Sequence, residues 1–197
     1  MQIGGFQRFT LSDYPGKPSA IVFTQGCNFR CPFCHNRYLW SAQSGGRERY
    51  GEVFEFLRQR KGLLQGVVIT GGEPTLQDEL PSFIRDIKEM GYSVKLDTNG
   101  SNPQVVAQLI EESLIDYCAM DIKAPMEKYA LLSGVSVDTD SIMRTIRTIH
   151  SSGLPCQFRT TVYPRMLSDK DVQAVKTMMH AYGNHLFQPY REPDTGP

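Results

Sequence analysis

Gly66-Val67-Val68-Ile69-Thr70-Gly71-Gly72-Glu73-Pro74 is the stretch on which the fold turns. Its first half is a short run of β-branched residues with no polar residue alternating into Val67 to Ile69, as a strand covered on both faces requires. Its second half breaks that run at once with two glycines and a proline, so the chain passes from a buried strand straight into a loop. A parallel sheet with helices packed on it gives a strand of this kind its cover.

The same grammar extends in both directions. Upstream, Ala20 to Thr24 reads as a strand stopped by Gly26, and residues 50–61 place Val53, Phe54, Phe56 and Leu57 on one helical face before Gly62. Downstream, Leu76 to Met90 is amphipathic and ends at Gly91. Strands at 92–97, 115–121, 155–162 and 185–189 then alternate with helices at 103–113, 139–151 and 169–182. Strands separated by helices imply an α/β protein with parallel strands and right-handed crossovers, either an open doubly wound sheet or part of a (βα) barrel. Six such strands fall short of the eight of a full barrel. At 197 residues and 40% hydrophobic the chain has the size of one domain. Residues 1–190 are expected to form it, with 191–197 as a flexible tail.

Charge and hydropathy exclude several classes. Lys plus Arg and Asp plus Glu both number 21, which leaves no basic excess to hold a nucleic acid. No apolar run approaches the roughly 18 residues of a membrane helix. Met1 to Gly5 has neither the basic start nor the apolar stretch of a signal peptide. The expectation is a cytoplasmic protein with no nucleic-acid or membrane partner.

Glycines and polar residues gather just after the strands: Gln25-Gly26-Cys27, Thr70 to Pro74, Asp97-Thr98-Asn99-Gly100 and Asp121-Ile122-Lys123. Ligands in α/β folds bind at the carboxyl ends of parallel strands, so four successive strands aim at one site. Three of the five cysteines crowd into Cys27-Asn28-Phe29-Arg30-Cys31-Pro32-Phe33-Cys34. Thiolates in that number select zinc, copper(I) or an iron-sulfur cluster. A structural zinc needs a fourth ligand, and His35, which directly follows Cys34, reaches the same tetrahedral ion only with strain. A 4Fe-4S cluster on three cysteines keeps one iron open for a ligand. A zinc-stabilised interaction protein stays as an alternative at this point.

The triple cysteine with an aromatic before its third member, taken with Gly71-Gly72-Glu73-Pro74, resembles the radical S-adenosylmethionine enzymes. More narrowly, Ser12-Asp13-Tyr14-Pro15-Gly16-Lys17, Gln25 to Asn28 and Cys34-His35-Asn36 are similar to the activases of glycyl radical enzymes. Asp97 to Gly100, Asp121 to Lys123 and Arg159-Thr160-Thr161-Val162-Tyr163-Pro164 continue the likeness. It is strongest to the branch that activates the anaerobic ribonucleoside-triphosphate reductase.

The resemblance implies a partial, open (βα)6 TIM-like barrel. In it Cys27, Cys31 and Cys34 ligate three irons of a 4Fe-4S cluster, and S-adenosylmethionine chelates the fourth. Reductive cleavage then gives methionine and a 5'-deoxyadenosyl radical, which takes hydrogen from a backbone glycine of the partner reductase. Further roles are implied for Gly71 and Gly72 at the methionine amine, with Glu73 fixing that strand end. Lys123 meets the methionine carboxylate, Arg159 reaches the same ligand, and Asn99 holds the ribose or the carboxylate. Asp97 and Thr98 bind methionine or, with Asp121, a monovalent cation. Phe33 packs beside the adenine, and Gln188 to Tyr190 close its pocket. A flavodoxin- or ferredoxin-type protein is the implied electron donor. The second implied function is a small-molecule radical enzyme like 7-carboxy-7-deazaguanine synthase.

Other conspicuous residues have plainer readings. Cys118 and Cys156 sit in apolar strands as small hydrophobes, and Met178-Met179 faces the core. His35 is read as a loop side chain packing locally. Arg47-Glu48-Arg49 and Arg58-Gln59-Arg60-Lys61 are solvated helix surface, or a dock for the acidic electron donor. Tyr14 to Lys17 is a Pro-Gly turn.

Overall fold

The computed structural model describes residues 1–41 and 50–192. Arg47-Glu48-Arg49 and residues 193–197 of the expected tail therefore lie outside the described residues. Seven strands form one sheet in chain order: β1 Ile3–Thr10, β2 Ser19–Thr24, β3 Gly66–Gly71, β4 Ser93–Thr98, β5 Tyr117–Asp121, β6 Cys156–Val162 and β7 His185–Pro189. β1 runs antiparallel to β2, and every later pair is parallel. The crossovers carry α1 Tyr50–Gln59, α2 Leu80–Glu89, α3 Pro103–Glu111, α4 Tyr129–Ser133, α5 Thr139–Ser151 and α6 Asp169–Met179.

Strict chain order decides between the two α/β architectures. When each parallel strand lies beside its predecessor, right-handed crossovers put every helix on the same face. A doubly wound sheet would reverse its strand order partway. Here it never reverses, and β1 and β7 do not pair with each other, so the sheet is an open barrel with a helix-covered outside and a bare inside. Alternate residues confirm the division. Val22, Ile69, Leu96, Met120 and Phe158 join the main core with Phe54, Phe83, Ile87 and Ile146. Ile21 and Val68, one residue away, belong to a separate small cluster with Tyr14, flanked by Phe23 and Tyr117.

The Pro-Gly turn of the sequence reading proves to be more than a turn. Tyr14 is buried against Ile21 and Val68, its ring 6.0 Å from that of Tyr117, so it plugs the barrel beneath the first residues of the strands. Lys17 Nζ donates to Ser93 Oγ at 2.7 Å and ties the turn to the start of β4. Gly66 is glycine because an added Cβ would stand 2.8 Å from Ser19 Oγ and 2.9 Å from the Tyr14 ring.

The sequence reading missed β1 and α4. β1 is an edge strand whose Gly4, Gly5, Gln7 and Arg8 hide the alternation of a half-buried strand. α4 is only five residues long and ends at Gly134 in the left-handed region, too short to display a helical period. The expected helix at 76–90 divides into a 3-10 turn at Pro74–Leu76 and α2, and that at 169–182 into α6 and a 3-10 turn. Cys118 is fully buried, Cys156 is half-buried, and Met179 lies in the core. Among the described residues no helix is long and apolar enough to cross a membrane.

Replacing Gly66 by alanine should destabilise the protein by about 1–3 kcal/mol through overpacking. Tyr14→Ala in the same chain should remove the part of that increment due to the ring and leave the part due to Ser19 Oγ. Urea denaturation of the two single variants and the double variant measures the coupling, and additive losses would show that the ring does not constrain Gly66.

Candidate functional site

The site assembles from loops at the carboxyl ends of β2 to β6, and backbone contacts hold the loops to one another. The cysteine loop begins at Gly26, whose N–H donates to the Leu39 carbonyl at 2.7 Å, while Gln25 Nε2 donates to the Tyr38 and Ser41 carbonyls. In the middle of the loop the Arg30 N–H reaches the Ser133 carbonyl at 2.7 Å, so α4 buttresses it from outside. The turn after β3 leans on the loop's first residues: Gly72 N–H donates to Thr24 at 2.9 Å and Glu73 N–H to Gly26 at 2.8 Å. A Cβ on Gly72 would overlap the Gly26 carbonyl. The geometry thus demands glycine there for the packing of two loops, before any ligand is considered.

Glu73 joins this turn to the next. Fully buried, its carboxylate accepts from Thr75 N–H at 3.2 Å, Thr75 Oγ1 at 2.6 Å, Thr98 Oγ1 at 2.7 Å and Asn99 N–H at 2.6 Å. Burial pushes its carboxyl above the ordinary range and these four donors pull the other way, leaving the net direction upward. Asn99 Nδ2 donates to Asn28 Oδ1 at 2.9 Å and closes the ring of loops on the cysteine segment.

The inner face of the barrel carries an ionic chain. Lys95 pairs with Asp97 Oδ1, Arg159 Nη2 stands 3.4 Å from Asp97 Oδ2, Arg159 Nε lies 3.0 Å from Asp121 Oδ1, and Lys123 Nζ lies 2.9 Å from Asp121 Oδ2. Burial opposes charge on Asp121, Lys123 and Arg159. The opposite charges outweigh it, holding Asp121 well below the usual carboxylate range and Lys123 and Arg159 above theirs. Three cations against two carboxylates leave one positive charge in excess, the complement of a ligand carboxylate. Lys95, which the sequence reading did not single out, shows itself as a lone cation between Val94 and Leu96.

Cys27, Cys31, Phe33, Cys34, Gly71 to Glu73, Asp97 to Asn99, Asp121, Lys123 and Arg159 all line one cleft of about 240 Å³. The three cysteines and Phe33 face Gly71 to Glu73 and Asp97 to Asn99, with Asp121, Lys123 and Arg159 completing the wall. A water molecule takes about 30 Å³ of liquid, so the space suits a ligand rather than a few solvent molecules. Gln188 to Tyr190 do not line it, against expectation. β7 is an edge strand, and Tyr190 reaches the site through Tyr163, whose ring meets it edge-on at 4.8 Å and lies tilted against Phe33 at 5.7 Å. His35 is exposed, borders the cleft and packs on Tyr190 at 5.5 Å.

Residues 21–178 match the family model described as the Radical SAM superfamily. The chain belongs to that superfamily. A candidate glycyl-radical enzyme activating enzyme of Methanocaldococcus jannaschii is 34% identical over 95% of this chain and 80% of its own length. The pyruvate formate-lyase-activating enzyme of Streptococcus mutans is 32% identical over 88% of this chain and 69% of its own. A 7-carboxy-7-deazaguanine synthase of Hyperthermus butylicus is 42% identical, over 46% of this chain and 38% of its own. Among solved structures, Streptococcus suis SuiB bound to S-adenosylmethionine superposes with a TM-score of 0.67 at 17% identity, over 87% of this chain and 40% of that one. Native anSMEcpe with bound AdoMet gives 0.68 at 17%, over 88% and 51%. The chain thus spans about half or less of these solved chains, and at that identity the likeness shows the fold.

The family implies a 4Fe-4S cluster and S-adenosylmethionine, and the donor set here fits them. Among the described residues no three His, Cys, Asp or Glu side chains converge closely enough to hold a single ion. Three thiols lining one cleft suit a group that takes one thiolate on each of three irons. Burial pushes the free Cys27 thiol up to about 11 and that of Cys31 upward as well, so loading must expel protons. Iron and sulfide incorporation into the apoprotein should therefore rise from mildly acidic to mildly alkaline pH, and Cys31→Ala should retain neither. A loading yield that falls as pH rises would contradict the buried-thiol picture.

Proposed function

We propose that this chain is the activase of a glycyl radical enzyme, with the anaerobic ribonucleoside-triphosphate reductase as its partner. The observation that carries the reading is the juxtaposition, across one cleft, of three cysteines and an ionic chain with one positive charge in excess. Similarity to activating enzymes over nearly the whole chain supports it. When bound, the cluster supplies one electron for cleaving S-adenosylmethionine into methionine and a 5'-deoxyadenosyl radical that takes a hydrogen atom from the partner's glycine.

The chain's own residues bind and orient. Cys27, Cys31 and Cys34 hold the cluster on a loop fixed at Gly26, Arg30 and Cys34. Lys123 meets the methionine carboxylate as a point charge, seconded by Arg159. Gly71 and Gly72 present backbone groups to the methionine amine, and Thr98 and Asn99 face the same ligand. Phe33, with Lys123 Nζ 5.8 Å from its ring centre, packs beside the adenine. Glu73 acts through position, since both its oxygens are taken by protein donors. A monovalent cation at Asp97 and Asp121 would share their four carboxylate oxygens with Lys95, Lys123 and Arg159, each oxygen already facing one cation.

The unclosed sheet leaves a side through which a glycine-bearing loop can enter. A flavodoxin- or ferredoxin-type protein supplies the electron, and a reducing cytoplasm is the setting that keeps these thiols free. The partial likeness to deazaguanine synthases keeps a small-molecule substrate as the second reading.

Protein reconstituted anaerobically with iron and sulfide, then given S-adenosylmethionine and a reductant, should form 5'-deoxyadenosine in a Cys31-dependent way. Added reductase should then show a glycyl radical by electron paramagnetic resonance. Failure of a cluster-loaded, cofactor-binding protein to form product would sink the radical reading, whereas turnover of a small molecule without the reductase would favour the second.

Lys123→Ala should raise the Kd for S-adenosylmethionine about tenfold or more, in line with the roughly 1.5–3 kcal/mol of a hydrogen bond to a charged group. An unchanged Kd in equilibrium dialysis removes that role for Lys123.

A further inference from the structure

A second cleft lies against the other side of the cysteine loop. It shares Cys27 and Trp40 with the main one and is otherwise walled chiefly by Arg30, Arg37, Leu76 and Gln77. Among the described residues no acidic side chain lines it. The two guanidinium groups flank the Trp40 indole at 5.5 and 5.7 Å from its centre. Each is pinned by carbonyl oxygens: Arg30 Nη1 donates to Cys27 at 2.6 Å and to Phe29 at 2.8 Å, and Arg37 Nη2 donates to Pro32. Carbonyls take one nitrogen of each guanidinium, and among the described residues no carboxylate cancels either charge. Among the described residues neither arginine forms an ion pair, whereas Arg58, Arg85, Arg144, Arg159 and Arg165 all do. The chain as a whole carries no net charge, so this positive spot is a local feature.

We infer that this cleft docks an acidic one-electron carrier protein that reduces the cluster, an inference resting on the radical reading above. Position argues for it first. Cys27 is a wall of both clefts, so a carrier seated here is separated from an iron ligand by the loop alone and leaves the main cleft to the substrate glycine. Composition argues for it next, because arginine and tryptophan are what protein interfaces concentrate, and Leu76 beside them is an apolar side chain 39% exposed. Fixed, unpaired guanidiniums also attract an acidic surface without first breaking ion pairs of their own. The basic run Arg58-Gln59-Arg60-Lys61 is no rival: it ends α1 and leads into the first residues of β3, at the end of the sheet opposite the cysteines. In the transfer one electron leaves the carrier and enters the cluster; no bond forms or breaks and no proton moves.

The test uses the holoenzyme with a flavodoxin as probe, and the variants Arg37→Glu, Arg37→Lys and Leu76→Glu. Leu76→Glu places the repelling charge in the cleft without removing a hydrogen bond from the loop. Calorimetry should show flavodoxin affinity weakened about tenfold in both glutamate variants, near wild type in Arg37→Lys, and falling with salt in the wild type. Paramagnetic resonance should show cluster reduction by flavodoxin slowed to match, with reduction by photoexcited deazaflavin unchanged. Unaltered flavodoxin affinity in both glutamate variants overturns the proposal. So does equal loss of reduction by both donors, which would mark a collapsed loop, or a loss of affinity for the glycyl radical partner instead. Should the wild type accept electrons yet never cleave S-adenosylmethionine, the radical reading fails while the affinity measurements still decide the docking surface.

Discussion

A parallel sheet wound in strict chain order with right-handed crossovers has one face that no helix ever covers, and the rest of the molecule answers to that constraint. The face cannot be left as bare hydrocarbon facing water, nor can so few strands close on themselves and fill it with their own side chains, as eight do. Its lower part is sealed from outside the sheet by Tyr14, which brings Ile21, Val68 and Tyr117 into a small second core. Its upper part is charged. Lys95, Asp97, Arg159 and Asp121 occupy inward positions of adjacent strands, where apolar residues would have produced a larger core and no site.

Such a chain of buried ion pairs is a poor device for stability. Desolvating each charge costs several kcal/mol, and replacement by packed apolar residues is often neutral or favourable. Its retention makes sense as preorganisation: charges already desolvated and already held do not reorganise when a ligand arrives. The neutral half of the site follows the same logic. Gly72 on Gly26, Glu73 on Thr98 and Asn99, and Asn99 on Asn28 form a closed ring of contacts among three loops, so that each is positioned by the other two. The Ser133 carbonyl on the Arg30 N–H adds an outer support for the cysteines.

What could be read in the sequence was whatever announces itself locally. Val67 to Ile69 declare a doubly covered strand by composition alone, and the spacing of Cys27, Cys31 and Cys34 declares a metal group. Parallel strands joined by helices place the loops after them at one end, so Asp97 and Lys123 could be assigned to the same cleft from chain position, and Arg159 from the family resemblance. The misses are residues whose meaning is tertiary. Gln7 and Arg8 make β1 look like a loop because an edge strand buries little of itself. Tyr14 sits in a sequence that any turn might have, and only the barrel's curvature brings Val68 and Tyr117 beneath it. Gly72 was read as room for a ligand, yet the nearest reason for it is the Gly26 carbonyl. Gln188 and Tyr190 were placed at the cleft by analogy of position, but an open barrel lets its last strand stand away from the centre.

The openness of the barrel also shapes how its two clefts divide their work. A closed barrel would surround the cysteine loop and give it one accessible side. Here the loop is supported at Leu39, Ser133 and the turn after β3, leaving Trp40 and Cys27 between two solvent-reachable spaces. One space is lined by hydrogen-bonding groups and an unbalanced positive charge suited to a small ligand; the other offers an indole between two arginines suited to a surface. On the proposed reading, a redox centre held between them is charged from one side while its substrate remains seated on the other.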